Sequence, residues 1–321
     1  MDRSRKVIVA CMRNEALFTV EWVAHHLAVG FDKIIVFTND CDDGTDRLLA
    51  ALEQGGAPVL HLDNPGPYPS GSIQKQALHQ ARGLEVVRLA RWLMHIDADE
   101  YVNVTCGSRK IDDLIGLHPD VDGVALMWRH FGSSGVARWN GGSVIEQFER
   151  CEAVPAEPES GAVVGFKTLF RQRKFKEFGV HHPRRPTRGR SPVIVNTAGA
   201  EMPLATITAS RGSGYAVTRD LCSWEHARLH HHHVKSDDLH QAKYDRGDAN
   251  GRNNAKRIIG GSFYRSVDRN EGCDRSLISF RPAVREIEAA LRSLPGVAEA
   301  EALALAGFQA RYHAAVGFAA E

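Results

Sequence analysis

WLMHIDADEYV, residues 92–102, runs from an apolar strand into three carboxylates within four positions. The apolar run reads as a buried strand, and in open α/β sheets ligands sit beyond the carboxyl ends of the strands. Asp97 and Asp99, two apart on an extended backbone, are expected to project to one side. Carboxylates that close repel unless a cation, a proton or strong donors lie between them. A hard divalent ion, Mn2+ or Mg2+, carrying a diphosphate satisfies the arrangement, because such ions prefer carboxylate and phosphate oxygens. An acidic turn capping the next element is the plainer alternative.

Outward from this stretch the chain alternates. Lys6–Met12 (KVIVACM) is a buried strand, followed by the polar turn Arg13-Asn14-Glu15 and a helix over Ala16–Val29 with Leu17, Val20, Ala24, Leu27 and Ala28 on one face. Gly30 stops that helix at the favoured C′ position. Lys33–Thr38 (KIIVFT) is a second strand, ending in Asn39-Asp40-Cys41-Asp42-Asp43-Gly44-Thr45; a short helix through Leu48, Leu49 and Leu52 and a third strand at 59–62 follow. A turn-rich segment, 64–71, leads into a helix over 72–91 and then into the acidic strand end. This alternation with short loops predicts a mostly parallel sheet flanked by helices. A nucleotide would lie over the strand ends, where Asn14, Asn39, Asp40 and Asp97 gather. No glycine-rich fingerprint opens the first helix, which disfavours a NAD-type site.

Past Tyr101 the regularity ends. Strands are expected within 120–129, 163–170 and 175–180, with an exposed loop at 153–161, a glycine-rich loop at Phe131-Gly132-Ser133-Ser134-Gly135, a helix over 237–246 and two terminal amphipathic helices.

Composition bounds the partners. Of 321 residues, 43% are hydrophobic and 25% charged, and the formal net charge is +1, so no global field argues for nucleic acid or an anionic surface. No apolar run is long enough to span a bilayer, and the N-terminus lacks the apolar core of a signal peptide. Six scattered cysteines fit reduced thiols better than a disulfide framework or a zinc site. The compartment expected is the cytoplasm, with peripheral attachment at the inner face of the membrane allowed.

Other candidates carry chemistry of their own. His230-His231-His232-His233 precedes Val234-Lys235-Ser236, and imidazole is a good ligand for transition metals. Alternate positions face the same way on an extended segment, so at most two of the four share a site. Lys235 suits a phosphate as a point charge. Lys75, Arg82 and the Arg184 to Arg190 cluster are further phosphate candidates, although basic clusters are usually solvated faces. Trp128, Phe131 and Trp139 around the Gly-Ser loop offer a sugar-stacking platform, against the commoner role of aromatics as core. Glu146 lies in an apolar setting expected to raise its pKa toward that of a base. An outward-facing strand glutamate is the plainer reading.

Taken together these residues resemble the GT-A fold glycosyltransferases, in the family 2-like branch related to family 92. The blocks are RNEALFTVEWVAHHLAVGFDKIIVFTNDCDDGTD, HIDADEYV, WRHFGSSG, VIEQFER, GFKTLF, GVHHP and HHHVKSDDLHQAKYDRG, in that order between Val7 and Gly247. The resemblance implies a GT-A type α/β fold with a mixed acceptor-side half. It implies three parts: 1–104 as a nucleotide-sugar-binding half, 105–275 as the acceptor-side half of the same domain, and 276–321 as C-terminal helices. It also implies a nucleotide-diphosphate sugar donor, a UDP-sugar being expected, and a glycan or lipid-linked acceptor in polysaccharide synthesis. It further implies a divalent ion, Mn2+ or Mg2+, held through Asp97 and Asp99, with inversion at the anomeric carbon. Register against Lys235-Ser236 puts the family's late histidine ligand at His231, with His230 and His232 where asparagine and tyrosine are usual. Arg13, Asn14, Glu15, Asn39, Asp40, Lys75, Asp97 and Lys235 are then donor contacts. Asp99 acts catalytically through the ion, and Glu146 is the acceptor base.

Two other classes handle similar ligands. A nucleotidyltransferase making nucleotide sugars usually opens with a glycine-rich basic loop, where this chain has Arg13-Asn14-Glu15. A non-catalytic carbohydrate or nucleotide module would not need Asp97, Asp99 and a late histidine.

Overall fold

The computed structural model describes residues 5–68, 72–153, 163–189, 191–204, 216–247 and 258–313. Strands β1 (Lys6–Met12), β2 (Lys33–Thr38), β3 (Val59–Asp63) and β4 (Trp92–His95) pair in parallel in the order β3-β2-β1-β4. The near-continuous apolar runs of β1, β2 and β4 follow from burial on both faces. Ile8, Ala10, Ile34 and Val36 enter one core, while Val7, Val9, Ile35 and Phe37 enter the other. Helices α1 (Ala16–Val29) and α2 (Thr45–Gln54) cover the first face; α3 (Ile73–Ala81) and α4 (Glu85–Leu89) cover the second. Gly30 closes α1 at φ 108°, donating its N–H to His26 and Leu27 carbonyls, as its place in the sequence predicts. The single helix expected over 72–91 is two, because the chain leaves helical geometry at Gly83 and extended Leu84.

The second half of the sheet is mixed. It is built from β5 (Glu100–Val104), β6 (Gly123–His130), β8 (Val163–Arg171) and β13 (Ala227–His231). β8 runs antiparallel between β4 and β6, β6 pairs in parallel with β13, and β13 pairs antiparallel with β5. One sheet therefore continues across residue 104, with the fold class the sequence predicts: mostly parallel at one end, mixed at the other, and flanked by helices. Helix α5 (Ile111–Leu117) follows β5. Short pieces fill in the remainder: α6 (Val144–Gln147), β7 (Arg150–Cys151), the hairpin β9 (Phe175–Phe178) and β10 (Pro183–Pro186), β11 (Ile194–Asn196) and β12 (Ala216–Thr218). After β13 come α7 (Asp237–Arg246), α8 (Ser262–Val267), β14 (Gly272–Cys273), α9 (Arg281–Arg292) and α10 (Val297–Tyr312). Helices α9 and α10 lie over α1 and α2, so α1 is buried on nearly its whole circumference rather than along one stripe. The loop expected at 153–161 falls mostly outside the described residues, as does Arg190. Among the described residues no helix is long and apolar enough to cross a membrane, and the cysteines are free.

Candidate functional site

Strand register assembles the centre of the site. Opposite β5, β13 places His231 across from Glu100 and His230 across from Tyr101, while on its other side His231 pairs with His130 of β6. Asp99, the residue before β5, is fixed by its carbonyl, which accepts from the His232 N–H at 2.9 Å. His231 and His233, two apart, turn to one side, and His230 and His232 turn to the other against Phe131. The result is a cluster of Asp99, His231 and His233 whose candidate ligand atoms all lie within 4.8 Å of one another. His231 Nε2 is 3.5 Å from Asp99 Oδ1, His233 Nδ1 is 3.9 Å from Oδ2, and the two imidazoles meet at 3.2 Å. Lys243, from α7, puts its ammonium on Asp99 Oδ2 and also donates to the His233 carbonyl at 3.1 Å. Burial alone would raise the Asp99 pKa; Lys243 and then His231 outweigh it and hold the carboxyl well below its ordinary value.

Asp97 belongs to a different group. The chain turns after β4, with the Glu100 N–H donating to the Asp97 carbonyl at 3.1 Å, so the two aspartates do not share an extended face. Lys167 of β8, with no exposed side-chain surface, donates to Asp97 Oδ2 at 2.8 Å and lies 3.6 Å from Glu100. Gln74 of α3 donates to Asp97 Oδ1 at 3.0 Å. Burial pushes the Asp97 pKa up, but Lys167 and His95 together bring it down to about 2. Glu100 is carried up to about 7 by burial, against the pull of Lys167. Its carboxylate accepts from the Trp128 indole N–H at 2.6 Å and from the Asp97 N–H at 2.7 Å. Trp128 in turn lies 4.7 Å, ring centre to ring centre, from His231.

A cavity of about 400 Å³ adjoins this centre. Arg13, Asn14 and Glu15 line it at the start of α1, Lys235 and Lys243 flank it on the side of α7, and α10 supplies an apolar wall. Lys243 is common to the cavity and to the Asp99 cluster. Burial lowers the Lys235 pKa to about 8, with Glu15 opposing, and its ammonium lies 4.5 Å from the centre of the Phe18 ring. Arg246 anchors α7 to the β1 end, pairing with Glu15 at 2.6 Å and donating to the Asn14 carbonyl at 2.9 Å. Asn39 and Asp40 are not part of the cavity lining; Asp40, at φ 46°, receives the Arg13 side chain on its carbonyl at 3.3 Å.

Several expectations are corrected here. Glu146 sits on α6, a short helix, and not on a strand. Burial pushes its pKa up, but the guanidinium groups of Arg285 and Arg281 together outweigh burial and hold it below the ordinary value, the reverse of a base-like shift. Lys75 is exposed, and its neighbour Gln74 is the residue that reaches the acidic end of β4. Phe131 and Trp139 are core residues, Trp139 packing on Phe18 and Phe308, so only Trp128 of the three aromatics borders the site. Arg185 pairs with Glu177 in its own hairpin. Sequence reasoning missed Lys167 and Lys243; it left His231 and His233 as alternatives, and both stand beside Asp99. Lys167 did leave a signal, a lone lysine inside the apolar strand VVGFKTLFR.

No family model matches the chain. Over 131 residues it is 22% identical to a glycosyltransferase family 92 protein of Oryza sativa subsp. japonica, a match covering 40% of this chain and 21% of that relative's length. Among solved structures, it is similar to a mannosyltransferase from Pyrobaculum calidifontis in complex with GDP-Man and Mn2+, at 15% identity and a TM-score of 0.36, over 97% of this chain and 76% of that one. It is also similar to a CMP:2-keto-3-deoxy-manno-octonic acid synthetase complexed with CTP, at 13% identity and a TM-score of 0.29, over 53% and 75% of the two chains. At these scores neither structure bears on the chemistry of the site.

Proposed function

We propose that this chain is a metal-dependent glycosyltransferase that moves a sugar from a nucleotide-diphosphate donor, with a UDP-sugar the first to test, onto a glycan or lipid-linked acceptor with inversion. The observation that carries the reading is the Asp99, His231 and His233 cluster, which Lys243 joins to a cavity that also holds Lys235 and the Arg13-Asn14-Glu15 turn. One carboxylate and two imidazoles make a mixed oxygen and nitrogen donor set, which fits Mn2+ better than the all-oxygen preference of Mg2+. Such an ion would supply Lewis-acid stabilisation of charge on the leaving diphosphate. Lys235 is a buried cation that an anion in the cavity would meet. A cavity of about 400 Å³ lies within the ordinary range for small-molecule sites. Arg13, Asn14 and Glu15 there, and Asn39 and Asp40 beyond Arg13, are our choice for the nucleoside. Asp97, with 27% of its side chain exposed, is our further choice for a donor contact.

The test is a panel of nucleotide sugars screened by thermal shift with Mn2+, since a ligand at a hundred to a thousand times its dissociation constant stabilises by about 3–4 kcal/mol. The stabilising donor is then assayed for turnover. Asp99→Ala should lose that turnover while remaining folded, and wild-type activity that survives a chelator would overturn the reading. Pyrophosphate release from a nucleoside triphosphate and a sugar phosphate would identify a nucleotidyltransferase instead.

A further inference from the structure

We propose that Lys243 is a tethered counter-ion: its ammonium occupies Asp99 in place of a divalent ion and leaves for the cavity when a phosphate-bearing ligand arrives there. The proposal rests on the metal site just described and adds an order to its filling. Asp99 Oδ2 is the oxygen that faces His233, and the same oxygen carries the Lys243 ammonium. A lysine ammonium is a compact point charge on a flexible stem, so it can hold a carboxylate as a small cation does. A dication entering among Asp99, His231 and His233 would meet that ammonium at close range in a buried setting, where like charges repel strongly.

The lysine has somewhere to go. It lies in the wall of the cavity, on the side that carries Lys235, and 18% of its side chain is exposed. Its helix does not have to move, because Arg246, one turn further on, ties α7 to Glu15 and to the carbonyls of Arg13 and Asn14. A rotation of the Lys243 stem would release Asp99 to the metal and present the ammonium to phosphate oxygens. Each ligand then makes room for the other, and by linkage the help is mutual.

Mn2+ binding to the full chain, counted by the electron paramagnetic resonance signal of the free ion, tests this without any turnover. Inorganic phosphate, which holds Mn2+ only weakly in solution, serves as the anion probe. In wild type, Mn2+ alone should bind weakly and saturating phosphate should tighten it roughly tenfold, within the usual range of such couplings. Lys243→Met should bind Mn2+ alone about tenfold more tightly than wild type and lose the response to phosphate, while Lys243→Arg should keep the wild-type pattern. Mn2+ should also raise the melting temperature of Lys243→Met more than that of wild type, since the variant leaves Asp99 without its cation. If the methionine variant fails to fold, Lys243→Gln carries the same expectation. Equal or weaker Mn2+ binding by the neutral variants, with His231→Ala abolishing binding, would overturn the counter-ion and leave the metal site standing. Absence of Mn2+ binding in every protein, with and without phosphate, would overturn both.

Discussion

Gly165 shows how closely single residues are fitted around the site. A Cβ there would lie 2.0 Å from Cε3 of Trp128, the indole that touches His231 and donates to Glu100. Gly165→Ala should therefore cost about 1–3 kcal/mol by overpacking. Urea denaturation and the tryptophan emission of the folded state would read the loss and the shifted indole. At the same scale, His231→Ala and His233→Ala should weaken Mn2+ binding to a comparable degree, because both imidazoles reach Asp99. A strong effect of one alone would reduce the donor set to two. Asp99 was legible as a candidate ligand because it follows an apolar run, but its separation from Asp97 was not. That separation depends on Lys167, seventy residues along the chain from Asp97, and on a turn that local sequence does not mark. Lys243 lies in a helix polar on most sides, so nothing in the sequence distinguished it from a solvated lysine.

Elements were easier to read than their coverings. Helix α7 has the bounds its sequence predicts, and the strands β1 and β2 were evident from continuous apolar runs. What remained hidden was the burial of α1 on all sides, because the helices that cover it come from the far end of the chain. Arg281 of α9 ties this junction together: it pairs with Glu288 at 2.7 Å, with Glu146 at 3.4 Å and with Glu21 of α1 at 3.7 Å, and its own side chain is 5% exposed. Removing one partner of a buried ionic group leaves the others uncompensated. Arg281→Ala should cost about 3–5 kcal/mol. Arg285, 60% exposed, also pairs with Glu146, and its replacement by Ala should cost less than about 1 kcal/mol. Chemical denaturation of the two variants side by side checks the ordering.

The whole molecule should be unusually sensitive to mild acid. His25 and His26 of α1 and His95 of β4 are buried, and burial lowers their pKa values, His25 to about 3, His95 to about 4 and His26 well below the ordinary value. An unfolded imidazole takes its proton near pH 6.5, whereas these folded ones stay neutral until far lower. Between those limits the unfolded state binds more protons, so stability is complete above about pH 6.5 and falls as the pH drops. Each such histidine removes about 1.4 kcal/mol per pH unit. Melting temperatures from pH 7.5 to 5 should decline from the histidine range onward, and a flat profile down to pH 5 would show that these imidazoles are not buried neutral in solution.

The cap over α1 also has a consequence for the chain as it is synthesised. Helix α1 leaves the ribosome well before α9 and α10, so the surface that they will cover stays bare until nearly all of the sheet has been made. At ~5–20 residues per second, that wait is on the order of ten seconds or more. Throughout it the face of α1 that will meet Arg281 through Glu21 and Phe280 through His25 is open to solvent or to a chaperone. Closure of α9 and α10 thus has to follow synthesis of the sheet, and a nascent chain arrested before Arg281 should be held by chaperones, while one released after Tyr312 should not.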